Sequence, residues 1–176
     1  MMHGMELSRR TMLADRLRHP PPTHEAAVLI SIKPRYADLI ERGEKRVEFR
    51  RRFPSDWSGG RAFFYVTSPV RALALSARIS GVTRAAPAQL WAQFGNQSGA
   101  TRAEFDEYFA GARTGAALLL ENVSRMDPAI VLDDPRLQHL NFRPPQSLTV
   151  LPPTSALLKL LNSSADLRPA PGRPSW

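Results

Sequence analysis

The sequence predicts an α+β domain that is mainly β, a small curled sheet or barrel with helices on its periphery. Three observations predict it. The 176 residues and 19.6 kDa suffice for one domain of ordinary size with tails, not for two with full cores. Segments of strand character outnumber helical ones. The strand–helix alternation of a doubly wound parallel sheet is not sustained beyond the first helix.

Taken in order, residues 1–25 read as a flexible extension, ending in Arg18-His-Pro-Pro-Pro22. Within it, Met5–Leu17 has the makings of a short helix, with Leu7, Met12, Leu13 and Leu17 loosely on one side. The domain spans 26–161. Ala26–Lys33 is an apolar, β-branched run of strand length. Pro34 suits the first position of a helix. Tyr36, Leu39 and Ile40 then share one helical face, and Gly43 supplies a left-handed stop. Lys45–Arg50 alternates as a strand with one buried and one polar face.

Arg61–Thr67 and Val70–Val82 are two further strands, joined near Ser68-Pro69. Pro87–Phe94 is helical and ends at Gly95. Thr101 followed by Glu104 is a capping-box pattern, opening a helix that carries Phe105, Tyr108 and Phe109 and closes at Gly111. Ala116–Val123 is a strand, Arg125–Asp134 a connection, and Thr154–Leu161 a short final helix. Asn162–Trp176, rich in Ser, Pro, Gly and Arg, reads as a disordered tail.

Composition narrows the function. No cysteine is present, which excludes disulfides, thiolate zinc, iron–sulfur clusters and a cysteine nucleophile. No segment approaches the ~18–20 apolar residues of a membrane span, and the N-terminus lacks the apolar core of a secretory signal. The expectation is a soluble, cytoplasmic protein with no membrane partner. His139 is the one histidine of the domain, so no metal site is expected. There is no Gly-x-Ser-x-Gly elbow, Walker-type lysine loop or Gly-x-Gly-x-x-Gly turn, and no cofactor is expected. Asp133-Asp134 and Asp106-Glu107 read as solvated acids, not catalytic pairs.

The net charge of +8, with a sequence pI near 10.9, points to a polyanionic partner. The 21 Arg, 22 Ala and 16 Pro also fit GC-rich codon usage, so placement decides. Half of the excess, +4, lies in Arg42-Gly-Glu-Lys-Arg-Val-Glu-Phe-Arg-Arg-Arg52. Codon bias does not explain that clustering. Lysine and arginine supply a point charge and a planar fork for phosphate or a base edge, and Glu48 can accept from an exocyclic amine or neutralise its neighbours. Regular alternation would place Lys45 with Val47 and Phe49, away from Glu48 and Arg50. A bulge near Gly43–Lys45, or a strand starting after Lys45, is needed to unite them. The competing reading is a charged edge strand that discourages aggregation.

Ser31-Ile-Lys-Pro-Arg-Tyr-Ala37 and Gly43-Glu-Lys-Arg-Val-Glu-Phe-Arg50 resemble the ASCH family, a branch of the PUA-like superfamily, in its Ser-x-Lys-Pro-x-Tyr-Ala and Gly-x-Lys-x-x-Glu-x-Arg motifs. The likeness continues through Tyr65, Ser68-Pro69-Val70, Leu90-Trp91, Glu104–Gly111 and Pro144-Pro-Gln-Ser147, over about 28–151. It implies a barrel of five to six strands with a cleft beside the first helix, binding RNA or modified nucleotides. One branch hydrolyses N4-acetylcytidine with a threonine nucleophile, a lysine activator and a distant glutamate. Here Lys45 and Arg50 match, but Glu48 stands at the threonine position and Trp91–Gly99 contains no acid. Other members are ribonucleases.

The sequence therefore predicts an RNA- or nucleotide-binding module. Lys45 and Arg50 contact phosphate or base, Glu48 a base donor, and Arg51 and Arg52 phosphates. Lys33 and Ser68 come from the motif segments. Tyr36, Tyr65 and a loop-exposed Trp57 are candidate stacking platforms. The alternatives are a ribonuclease or amidohydrolase with Lys45 as the key catalytic group, and a regulatory module for a protein or small ligand.

Overall fold

A computed structural model describes residues 26–57 and 59–164 and the backbone of Leu167–Pro169. The 1–25 extension and its Met5–Leu17 segment lie outside the described residues. The described residues form seven strands: β1 (Ala27–Ile32), β2 (Val47–Arg50), β3 (Gly60–Val66), β4 (Ala72–Ala85), β5 (Gly115–Val131), β6 (Leu148–Leu151) and β7 (Leu167–Pro169). Five α-helices accompany them: α1 (Pro34–Glu41), α2 (Pro87–Phe94), α3 (Arg102–Phe109), α4 (Pro135–His139) and α5 (Ala156–Ser163), with a 3₁₀ turn at Gly95–Gln97.

The main sheet runs β2-β5-β4-β3-β1-β6, with β7 added beside β5. β1 and β3 are parallel, and every other pair is antiparallel. Register shifts at three points between β4 and β5, and one between β3 and β4, bend the long strands. The sheet curls into a half-barrel whose edge strands are β2 and β6.

Alternation sorts the side chains into three layers. Val28, Ile30 and Ile32 of β1 face the interior with Phe64, Leu75, Ile79 and Leu118, and Ile40 of α1 plugs that interior. Leu29, Phe63 and Tyr65 face outward against Leu137 of α4 and Leu158 and Leu161 of α5. Val47 and Phe49 of β2 pack on Leu90, Phe94, Phe105 and Phe109 of α2 and α3. Strands covered on both faces carry near-continuous apolar runs, as Ala27–Ile32 does.

The expected start and stop signals operate. Pro34 and Pro87 open α1 and α2, Gly43 lies at φ +74° just past α1, and the Thr101–Glu104 capping box opens α3.

Four features differ from the sequence reading. β5 continues through the expected connection to Val131, since Ala72 and Leu73 of β4 pair with Val131 and Ile130. β6 is a short edge strand with only one buried residue, so its pattern is faint. α4 was hidden by its length of five residues, although Asp134 caps it. Past residue 161, α5 runs on to Ser163 and the backbone of Leu167–Pro169 pairs with Ser124–Met126, where a disordered tail was expected.

Candidate functional site

The site lies at the seam between the two sheet edges. Register places Glu48 opposite Leu118 and Arg50 opposite Ala116, both interior residues, so both charged side chains point inward. All four residues of β2 are buried, which corrects the expected polar outer face of this strand. Apolar cover comes from α2 and α3 on one side, and the half-barrel closes over the other.

The strand begins at Val47, after Lys45. The turn past α1 bends the chain, and the amides of Glu44 and Lys45 both donate to Leu39 O. Lys45 thereby reaches Glu48, as the second of the two geometric solutions requires. Lys45 Nζ lies 2.9 Å from Glu48 Oε2, and Arg50 Nη2 lies 2.7 Å from Glu48 Oε1. Lys45, Glu48 and Arg50 are 4%, 7% and 6% exposed, so the three form a buried ionic chain.

The chain uses almost all its polar atoms internally. Lys45 Nζ also donates to Val47 O at 2.8 Å and Ser98 O at 2.6 Å, so its three N–H groups have three acceptors. Arg50 donates to Ser31 O at 3.1 Å through Nη2 and to Ser147 Oγ at 3.1 Å through Nη1. One side chain of β2 thus ties this edge to β1 and to the residue before β6. Arg50 Nε is buried without a partner. Burial pushes the Glu48 carboxyl up, but Lys45 and Arg50 together outweigh it and hold the group below its ordinary range.

Around the chain, Tyr36 is half-buried, with Lys45 Nζ 5.1 Å and the Arg35 guanidinium 4.4 Å from its ring centre. Burial raises its phenol, opposed by Arg35, which donates to the Tyr36 hydroxyl at 2.8 Å. Arg35 also bridges to Glu104 at 2.6 Å, and it holds that carboxyl down at about 2 together with the Thr101 amide.

The structure unites Tyr36, Lys45, Glu48 and Arg50, with exposed Arg51 and Arg52 following directly on β2. It separates the others. Tyr65 is 4% exposed and faces the outer layer beside Phe142, on the opposite face from Glu48 and Arg50. Trp57 is half-buried, packed on the interior cluster and edge-on to Phe53, with its indole N–H buried and unpartnered. That corrects its expected loop exposure: the ring gains apolar contact with the interior cluster and Phe53. Lys33 and Ser68 are exposed just beyond the ends of the parallel pair β1–β3, and no contact joins them to the ionic chain.

Sequence reasoning missed Ser31, Ser98 and Ser147 as partners. Two of them act through main-chain carbonyls, which leave no side-chain signature. Gly99 was a usable signal: at φ +67°, with a Cβ there 2.7 Å from Leu39 Cδ1, glycine is the residue that fits this turn beside Ser98 and Lys45 without strain. Among the described residues no group of His, Asp and Glu could hold a metal ion. Asp134 caps α4 and pairs with Arg136, and Asp106 pairs with Arg102, as surface acids do.

The ASCH domain model matches residues 30–126, which include the second half of β1, all of α1 and the whole ionic chain. The chain belongs to the ASCH family. An ASCH domain-containing ribonuclease of Zymomonas mobilis is 35% identical over 130 residues, 74% of this chain and 86% of that protein. The crystal structure of ASCH from Zymomonas mobilis superposes with a TM-score of 0.70 at 29% identity, over 81% of this chain and 96% of that one. A serine-to-alanine variant of the same protein gives 0.69 at 31%, over 78% and 95%. The half-barrel with peripheral helices is therefore the ASCH fold.

Proposed function

We propose that this ASCH domain binds RNA, with a nucleotide held at the seam. The observation that carries the reading is the two-sided use of one short strand. Its inner side chains, Glu48 and Arg50, leave one buried donor, Arg50 Nε, without a partner, on the guanidinium whose Nη1 donates to Ser147 Oγ. Its continuation presents Arg51 and Arg52 to solvent. A buried N–H without a partner favours any acceptor that reaches it, such as a base carbonyl or a phosphate oxygen. Exposed guanidinium groups directly after the strand suit a phosphate backbone. The 35% identity to a protein named a ribonuclease supports RNA as the polymer.

In this reading Lys45 and Glu48 act chiefly by holding Arg50 in place, and Tyr36 lines the same end of the seam. A second reading, hydrolysis of RNA, is favoured by the name of that relative. Lys45 would serve it as a fixed positive charge, because acting as a base requires it to leave Glu48 and two carbonyls.

The test is fluorescence anisotropy with several unrelated single-stranded RNAs. Arg51→Ala/Arg52→Ala should weaken all of them by similar factors, because phosphate contacts position without specifying. A change in sequence preference instead would contradict these roles. RNA cleavage by the unmodified protein that Lys45→Met abolishes, with the fold intact, would promote the second reading.

A further inference from the structure

We propose that the end of the half-barrel where β2 and β4 finish and β5 begins is a second, contiguous RNA surface, which carries the ribose-phosphate backbone of a single strand beyond the seam. The inference rests on the RNA reading above and extends it to residues that the motif segments do not include.

Topology gathers the charge. Ala116, near the start of β5, pairs with Arg50 of β2 on one side and with Arg84 of β4 on the other. Arg51 and Arg52 follow Arg50, and Arg113 lies just ahead of Gly115, where β5 begins. Arg84 Nη2 donates to Trp57 O at 2.9 Å and to Pro54 O, which fastens the loop after β2 beneath it. The Arg51 amide donates to the Tyr108 hydroxyl at 3.2 Å and its guanidinium to Ala110 O at 3.2 Å, which brings the end of α3 to the same rim.

These arginines are uncompensated. All four are exposed, and among the described residues none forms an ion pair, whereas Arg35, Arg42, Arg102 and Arg136 each have a carboxylate. Among the described residues, Arg51 and Arg84 spend side-chain donors only on main-chain carbonyls, and Arg52 and Arg113 spend none. Among the described residues, the acids close in sequence to these elements are Asp56, Asp106 and Glu107, and Asp106 is already paired with Arg102. Such a cluster repels itself unless an anion lies across it.

Tyr108 decides between anions. It is 38% exposed, one of the few large exposed side chains with apolar surface, and its hydroxyl is pinned by the Arg51 amide. A fixed aromatic face among guanidinium forks suits bases and phosphates together, which an acidic peptide does not need.

The experiment uses the full chain, a labelled single-stranded RNA of about ten nucleotides and a mononucleotide. Arg84→Gln/Arg113→Gln removes two charges and keeps an amide donor for the carbonyls of Pro54 and Trp57. Binding of the longer RNA should weaken by roughly tenfold near 0.1 M salt, and the slope of log K on log salt should become shallower by about 1.4. Mononucleotide binding should not change. Tyr108→Leu should weaken the longer RNA by about fivefold or more at an unchanged slope. Arg78→Gln/Lys159→Gln makes the same charge change elsewhere and should have little effect. Equal affinity and slope in the Arg84/Arg113 variant would overturn the rim while leaving RNA binding at the seam intact. Equal loss in the control would reduce the effect to net charge and also overturn it. Competition by polyglutamate as strong as by RNA would reassign the surface to a protein. Failure of the unmodified protein to bind either RNA probe would remove the rim and the function together.

Discussion

Glu48 is the centre of the ionic chain, and its removal leaves two buried cations facing each other. Breaking a buried ion pair from one side costs about 3–5 kcal/mol, so Glu48→Ala should lower unfolding stability by that order, measurable by urea denaturation. The carboxyl titrates below its ordinary value near 4.5 in the folded state. Its stabilising contribution is therefore fully present above that value and is lost as pH falls through the lower folded one. The stability gap between the native protein and Glu48→Ala should be flat above about pH 5 and shrink only in stronger acid. A gap that instead grew on acidification would contradict the sign. The same residue bears on catalysis. Lys45 has its three donors engaged, Glu48 stands where the deacetylating branch has threonine, and Trp91–Gly99 holds no acid. The protein should release no acetate from N4-acetylcytidine beyond the buffer rate, and Glu48→Thr alone should not restore it. Rapid release abolished by Lys45→Ala would overturn this.

At the scale of elements, Arg50 is the tie across the open edge between β2 and β6. Lysine keeps the charge but cannot span Glu48, Ser31 and Ser147 with one planar fork. Arg50→Lys should therefore raise amide exchange in Leu148–Leu151 more than in β3 or β4, and unchanged protection of β6 would show that the tie is dispensable. The elements most legible in the sequence were those with local signals. Pro34, Gly43, Pro87 and the Thr101–Glu104 box bound their helices, and the apolar run of β1 marks a strand covered on both faces. What stayed hidden depends on tertiary contact. β6 is a strand because β1 offers it an edge, and residues 124–131 stay extended because β4 and β7 pair with them. Within the site, the charged motif was visible, but its burial was not. Alternation shows that Glu48 and Arg50 share a face, yet only the curl of the sheet makes that face an interior. Trp57 looked exposed for the complementary reason, since nothing local shows that interior side chains lie beneath it.

For the whole molecule, the net charge of +8 is the excess of 24 Lys and Arg over 16 Asp and Glu. One-to-one pairs such as Arg35–Glu104 leave that excess untouched, and the ionic chain, two cations on one carboxylate, carries +1 of it. Among the described residues, exposed arginines without an ion pair gather where β2 leaves the sheet. If that surface meets RNA through four to six phosphates, binding must release counterions in proportion. The most direct measurement is the affinity for a single-stranded RNA as a function of salt concentration. A slope of log K on log salt of about −3 to −4 is the predicted result. A slope near zero, or no measurable binding at low salt, would contradict RNA binding by this domain.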